Sequence, residues 1–158
     1  DHNGYLASIG KKNEIIFEQA QELYHNRNKE KKSFDTNDFD ISFSRGLSLE
    51  DGTTTLTEFT GSIISETISL LAKNGKKFNN IIICGGGRKN KILMNIIQKN
   101  LSQKIKIMMI DDYGIDGDFV ESKAFAFLAI RSYKKLPITF PSTTNCKKPC
   151  TGGEIIEN

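Results

Sequence analysis

The stretch that most constrains the fold of this chain is Asn79 to Asn90, NNIIICGGGRKN. Three consecutive β-branched residues, Ile81 to Ile83, predict a strand that is buried on both faces of a layered α/β sheet. The glycines that follow, Gly85 to Gly87, would turn the chain and leave no Cβ between the backbone and a ligand. A helix starting after the turn would point its free N–H groups into the same space, which suits a phosphate or a nucleotide edge. We therefore expect a ligand site at this turn.

A second interpretation stays open, in which the glycines only make a tight connection. Position 90 is Asn, so the dinucleotide-binding pattern G-x-G-x-x-G is not completed. No Gly-Lys-Ser/Thr follows, so the P-loop pattern is absent as well. An unrelated Rossmann-like cofactor protein fits poorly, because the nearest acidic residue at the end of a second strand is Asp111, later than the about twenty positions that this class favours.

Composition excludes several classes of protein. With 158 residues, 37% hydrophobic and 26% charged, the chain can bury one ordinary core. The net charge is only +3 and the lysines are scattered, which argues against a nucleic-acid groove. No apolar run approaches the length of a membrane span, so we expect no membrane partner. The three cysteines argue against a zinc site and fit a reducing cytoplasm, with Cys84 buried at the end of the isoleucine strand.

Periodicity predicts an alternation of helices and strands. The helical segments are Glu14 to Arg27, Ser48 to Asn74 with Ser48 and Asp51 as a capping box, Lys89 to Asn100, and Asp118 to about Lys135. Beside the isoleucine run, Ile105 to Ile110 is a predicted strand and Gly153 to Glu157 a short last one, whereas residues 28–40 form a long loop. This order predicts an α/β layer with at least two neighbouring parallel strands. We treat residues 1–158 as one domain, in which residues 1–45 are a loosely packed remnant and residues 46–158 the α/β core.

The last long helix, DFVESKAFAFLAIRSYKK, is apolar almost all round, which predicts that it is buried on most sides. Glu121 lies in its first turn, on the same face as Phe125 and Leu128. A carboxylate there needs a hydrogen-bond partner. Two partners remain open: the N-cap backbone of an Asp118–Glu121 capping box, or a hydroxyl or amide of a ligand in an adjoining cleft.

Several segments occur in the order found in one known family. They are DHNGYLASIGK, LSLEDGTTTLTEFTGSII, ICGGGRKNKILMNII, DDYGIDGDFVESKAFAFLAIRSYKKLP and the closing TFPSTT with TGGEII. In that family a triple glycine follows a hydrophobic strand, an Asn comes three residues later, and a Glu-Ala-x-Ala-Phe-Ala-Trp-Leu-Ala helix follows a loop ending in Gly-Ile. Together these segments resemble the carboxy-terminal part of anhydro-N-acetylmuramic acid kinases.

The resemblance implies an α/β fold of the RNase H-like, actin-like ATPase type: one lobe with a mixed sheet and flanking helices, incomplete without its amino-terminal lobe. It implies an ATP- and Mg²⁺-dependent sugar kinase, which cleaves the 1,6-anhydro ring and phosphorylates the sugar during peptidoglycan recycling. By the same resemblance, Gly85, Gly86, Gly87 and Asn90 would bind the nucleotide and Glu121 would bind the sugar.

The chain also departs from this family. The phosphate-gripping Gly-Thr-Ser-x-Asp-Gly segment and the Asp-x-Gly-Pro-Gly-Asn segment with the catalytic carboxylate are absent, so no catalytic residue is assigned. KKSFDTND from Lys31 replaces Pro-Lys-Ser-Thr-Gly-Arg-Glu, and Phe127 stands where the helix has Trp. We therefore expect a fragment that is inactive alone and needs a separately encoded amino-terminal lobe. An uncovered apolar face would also favour a homodimer. The alternative is a degenerate, non-catalytic structural or interaction domain.

Overall fold

The structure, a computed structural model, describes residues 1–27, 39–74 and 78–156 and shows a helix-rich α/β unit. Its α-helices are α1 (Tyr5–Ile9), α2 (Glu14–Arg27), α3 (Leu49–Lys73), α4 (Lys91–Asn100), α5 (Val120–Tyr133) and α6 (Pro141–Thr144). Its strands are β1 (Asn80–Ile83) and β2 (Lys106–Met109). Short 3₁₀ helices cover His2–Gly4, Ser42–Ser44, Gly86–Lys89 and Ile110–Tyr113. The predicted loop at 28–40, with the KKSFDTND segment, falls almost wholly outside the described residues.

The long helix α3 organises the packing, and its predicted start is confirmed. The Ser48 hydroxyl accepts the backbone N–H of Asp51 at 3.1 Å, which satisfies one of the free donors at the helix start. The Asp51 carboxylate does not complete a capping box and instead accepts the backbone N–H of Lys11 at 2.8 Å. The cap therefore also ties the segment after α1 to α3.

Hydroxyl side chains let α3 be buried despite its polarity. They donate to the carbonyl four residues earlier at Thr53, Thr54, Thr55, Thr57, Thr60, Ser65 and Thr67. A buried hydroxyl that is hydrogen-bonded in this way avoids most of the cost of leaving water. Thr55, which is fully buried, also accepts the backbone N–H of Asn13 at 3.0 Å and so fixes the start of α2.

Two apolar clusters lie on either side of α3. The first, Ala20 with Phe59 and Ile63, fills the space between α2 and α3. The second lies between α4 and the strands; its members are Ile97, Leu101 and Ile105, with Ile68, Ala72, Phe78, Ile81, Leu93, Met94 and Ile107 around them. Gly61 permits the close crossing of α3 and α4, because a Cβ there would lie 2.6 Å from Cγ2 of Ile96.

The strands β1 and β2 pair in parallel, in a register that runs from Asn80 opposite Lys106 to Ile83 opposite Met109. Helix α4 is the crossover between them, so the prediction of neighbouring parallel strands is confirmed. In the part of the chain that the structure describes, these two strands are the whole sheet, where the resemblance implied a mixed one. Each strand therefore has one edge with no neighbour among the described residues.

The structure corrects four predictions, three on burial and one on a strand. Ile82 is 50% exposed, because the core covers only the face of β1 that carries Ile81. Cys84 is exposed rather than buried. Helix α5 has no buried residue, since no described element covers its apolar sides. Residues 153–156 form no strand; the chain instead makes an isolated antiparallel bridge between Thr139 and Cys150.

No helix within residues 1–27, 39–74 and 78–156 combines the length and the apolar character that a membrane crossing requires.

Candidate glycine-turn site

The glycine turn lies at the carboxyl end of β1 and is open on its outer side. Gly85 has φ +81°, the left-handed region that favours glycine. A Cβ placed on Gly85 or Gly86 would meet no atom within 4 Å, and one on Gly87 would only touch Cδ2 of Leu93 at 3.9 Å. The carboxyl ends of parallel strands border the crevice in which α/β proteins bind ligands. The turn therefore lies at such an edge, and ligand binding there stays a prediction.

The three glycine amides have different partners. The N–H of Gly85 donates to the carbonyl of Gly117 at 3.0 Å, so it is directed into the protein. The N–H groups of Gly86 and Gly87 open the 3₁₀ helix Gly86–Lys89 and have no acceptor within the described ranges. They are the free donors that every helix leaves at its start. Two adjacent backbone donors are thus available to an anion.

Arg88, directly after the glycines, is the centre of a charged cluster. Its Nε and Nη2 donate to the two oxygens of Asp111 at 2.7 and 2.9 Å, a bidentate pair. Its Nη1 donates to Asp118 at 2.6 Å and to the carbonyl of Gly85 at 3.0 Å. The ammonium of Lys89 donates to the other oxygen of Asp118. The Arg88 side chain is only 8% exposed.

Gly117 provides the space for this guanidinium. A Cβ on Gly117 would lie 2.5 Å from Nε of Arg88. The backbone N–H of Gly117 donates to the Asp111 carboxylate at 3.2 Å, and its carbonyl accepts the N–H of Gly85. Gly117 is therefore hydrogen-bonded to both of these segments. The end of β1, the end of β2 and the start of α5 are therefore joined at one place.

The cluster shifts the pKa of its members. Hydrogen bonds from Arg88 and from the backbone of Gly117 lower the pKa of Asp111 to about 2. Hydrogen bonds from Lys89 and Arg88 lower the pKa of Asp118, and those to Asp111 and Asp118 raise the pKa of Arg88. The two cations and two carboxylates balance each other. The turn therefore offers an anion its bare amides rather than an unpaired cation.

Sequence reasoning missed this cluster. Asp118 was considered only as half of a capping box with Glu121, one of two open alternatives. The N-cap of α5 is Phe119, without a side-chain bond, so that alternative is wrong. A usable signal was present, since an Arg follows the first strand's glycines and an Asp follows the second strand. The carboxyl ends of neighbouring parallel strands meet at one sheet edge, which brings such residues together.

Asn90 lies on the other side of the turn. It is the N-cap of α4, and its side-chain oxygen accepts the backbone N–H of Leu93 at 3.0 Å. It packs so tightly on Gly4 that a Cβ at position 4 would lie 2.3 Å from this oxygen. Asn90 also lines a groove of about 230 Å³ between α3 and α4, together with Thr53, Leu56, Thr57, Thr60 and Leu93. The backbone N–H of Asn90 donates to the carbonyl of Gly87 at 3.1 Å, so Asn90 stays directly beside the glycine turn.

Glu121 lies in the first turn of α5, three residues after Asp118, and its side chain is exposed. The Glu121 carboxylate forms no hydrogen bond or ion pair with another described residue. The Arg88 cluster brings the start of its helix to the glycine turn. The structure thus brings the three glycines, Asn90 and the start of the Glu121 helix close together, and their contacts with ligands stay a prediction.

Across the described part of the chain, no group of three or more His, Cys, Asp or Glu side chains is placed to hold a metal ion.

A parallel strand pair with a crossover helix and an open glycine turn at its carboxyl end defines an α/β unit of the kind in which ligands are commonly bound at that edge. The family model for anhydro-N-acetylmuramic acid kinase matches residues 1–158. The chain belongs to this family.

Relatives support the same assignment. An anhydro-N-acetylmuramic acid kinase of Pelagibacter ubique is 50% identical over 161 residues, which cover 100% of this chain and 43% of the relative. The kinase of Rhizobium rhizogenes is 36% identical, with 99% of this chain and 41% of the relative covered. That of Zymomonas mobilis is 35% identical, with coverage of 98% and 41%. The chain spans about two fifths of the length of the curated relatives it matches.

Proposed function

We propose that this chain is the carboxy-terminal lobe of an actin-like, ATP-dependent kinase. The kinase cleaves and phosphorylates 1,6-anhydro-N-acetylmuramic acid during cell-wall recycling in the cytoplasm. Family membership supports the chemistry, and the two bare amides of Gly86 and Gly87 carry the assignment of the nucleotide site. Backbone donors beside open space bind phosphate oxygens without any side chain.

Different residues of this chain would bind the nucleotide and the sugar. Gly85 to Gly87 lie against the nucleotide, because the missing Cβ atoms leave room for it. Glu121, which has no partner among the described residues, accepts a hydrogen bond from the sugar. Asn90 caps α4 directly after the turn and contacts the nucleotide together with the glycines. When bound, ATP supplies the phosphoryl group and Mg²⁺ neutralises charge on its phosphates.

A titration with ATP tests the nucleotide site. Gly86→Val adds bulk where the protein has no neighbouring atom, so the fold should be retained while the ligand is excluded. We expect ATP affinity to fall at least about tenfold, since a single misplaced contact readily costs that much in a preorganised site. Gly52→Ala is the control, because its Cβ has ordinary room inside α3. Equal affinity of Gly86→Val and wild type would contradict the proposal, as would no binding by wild type at millimolar ATP.

An assay of phosphosugar formation gives a second test of the proposed function. The 158 residues contain no Asp-x-Gly-Pro-Gly-Asn segment, and we expect them to form no phosphosugar by themselves from ATP, Mg²⁺ and the anhydro sugar. Activity should appear on mixing with the remaining part of a related kinase, such as that of Pelagibacter ubique. Robust turnover by the isolated chain would refute the half-site proposal.

A degenerate interaction domain is the second candidate, and the uncovered apolar sides of α5 favour it. The same ATP titration separates the two, because an interaction domain has no reason to bind nucleotide at the glycine turn.

A further inference from the structure

We propose that Arg88 is a positioning residue that holds the glycine turn and the start of α5 at a fixed spacing. The bound nucleotide and the bound sugar thereby keep a fixed distance from each other. This inference rests on the proposed function, which assigns the two ligands to these two segments. It adds a residue that touches neither ligand and acts through the backbone on both sites.

The contacts of the guanidinium support this role. Four of its N–H···O bonds reach Gly85 at the glycine turn, Asp111 after β2 and Asp118 before α5. Asp111 and Asp118 are 23 and 30 residues away from Arg88. The β1–β2 pairing and the Gly85–Gly117 backbone bond each join two of the segments, whereas the guanidinium joins all three at one group. A planar, five-donor group can satisfy three acceptors at set angles, which a lysine ammonium cannot do in the same geometry.

Helix α5 depends on such a connection. It has no buried residue, so no apolar core sets its position relative to the strands. At its start, Asp118 accepts from Arg88 and Lys89, and the carbonyl of Gly117 accepts from Gly85. At its other end, Arg131 and Ser132 bond to the carbonyls of Pro137 and Gly152, within the carboxy-terminal segment itself. The tie to the glycine turn is therefore made at the start of the helix, next to Glu121.

Gly117 offers a way to disturb Arg88 without removing any charge. Its Cβ would lie 2.5 Å from Nε and 2.6 Å from Cζ of Arg88, which is the end of a flexible side chain. Gly117→Ala should therefore displace the guanidinium while the backbone and all four charged residues remain.

The experiment compares Arg88→Met, Arg88→Lys and Gly117→Ala with wild type and with the control Gly52→Ala. Two quantities are measured on folded protein: the Kd for ATP and the hydrogen-exchange rate of the Gly85 amide. We expect each of the three variants to bind ATP about tenfold more weakly and to exchange the Gly85 amide at least about tenfold faster. Gly52→Ala should leave the Kd unchanged and should not speed the exchange of the Gly85 amide.

Two results would overturn the inference. If wild type binds ATP and Arg88→Lys keeps the wild-type Kd and exchange rate, charge alone suffices and the fixed spacing is not set by the guanidinium. If Gly117→Ala stays folded and leaves both quantities unchanged, displacement of Arg88 has no effect on the turn. Should wild type itself fail to bind ATP, the proposed function fails, and Gly85 exchange alone then decides whether Arg88 holds the two segments.

Discussion

Among single residues, Asp111 links the charged cluster to acid stability. Its pKa in the folded protein is about 2, below its ordinary value of 3.8. The folded state therefore releases this proton more readily than the unfolded chain does. The resulting stabilisation is present above about pH 4 and is lost as the pH falls towards 2.

Asp111→Asn should abolish this contribution. We expect the free energy of unfolding of wild type to fall more steeply between pH 4 and pH 2 than that of the variant, as measured by urea unfolding at a series of pH values. Asp112→Asn is the matched control, because the Asp112 carboxylate accepts the backbone N–H of Met109 rather than an Arg88 donor. Parallel pH curves for wild type and Asp111→Asn would show that the pair contributes nothing to acid stability.

Whether a contact could be predicted from the sequence depended on how many residues separate its two partners. The Ser48 cap was predictable, since the hydroxyl and the amide that it accepts are three positions apart. The pairing of Arg88 with Asp111 was not, because 23 residues separate them and only the parallel register brings them together. The openness of the glycine turn was proposed from missing Cβ atoms, and the empty space before Gly85 and Gly86 agrees with it.

At the scale of elements, α3 contains two glycines in opposite surroundings. A Cβ at Gly52 would meet Leu47 at 3.7 Å, an ordinary contact, whereas one at Gly61 would lie 2.6 Å from Ile96. Alanine is favoured over glycine inside a helix by up to about 1 kcal/mol. The same substitution should therefore have opposite effects at the two positions.

We expect Gly52→Ala to stabilise the protein by about 0.5–1 kcal/mol. Gly61→Ala should destabilise it by about 1–3 kcal/mol, because α4 must shift to accept the methyl group. Denaturant midpoints for the two variants and wild type measure the difference, and each variant serves as the control of the other. A stabilised Gly61→Ala would mean that α3 and α4 do not cross as closely as the Ile96 contact indicates.

The bounds of the helices and strands were predicted better than the burial of their residues. The helix from Glu14 to Arg27 and the parallel strands are confirmed at nearly the predicted bounds, because periodicity and capping act within one element. The burial of Ile82 and of α5 was predicted wrongly. Apolar composition shows that an element can be covered, but the neighbour that covers it lies elsewhere in the chain or in another chain.

At the scale of the whole molecule, the uncovered sides of α5 should drive self-association. Phe127 and Ile130 are three positions apart and more than half exposed, so they present one apolar face. We expect sedimentation to show dimers or larger species whose fraction rises with concentration. The Phe127→Glu/Ile130→Glu double variant should shift the equilibrium towards monomer.

Ser122→Glu, on an exposed position of the same helix, is the control for added negative charge. It should associate as wild type does. A wild-type chain that stays monomeric up to high micromolar concentration would show that these apolar sides are not sufficient for association.

The two-stranded sheet has a further consequence for how copies of this chain meet. Suppose that β2 of one copy pairs with β1 of the next copy in the same parallel sense. The enlarged sheet then still has one unpaired strand edge at each end, so copies can be added without limit. Such growth is filamentous, whereas contact through an isologous patch ends at two copies. A strand supplied by a different partner would occupy one of these edges and terminate the stack.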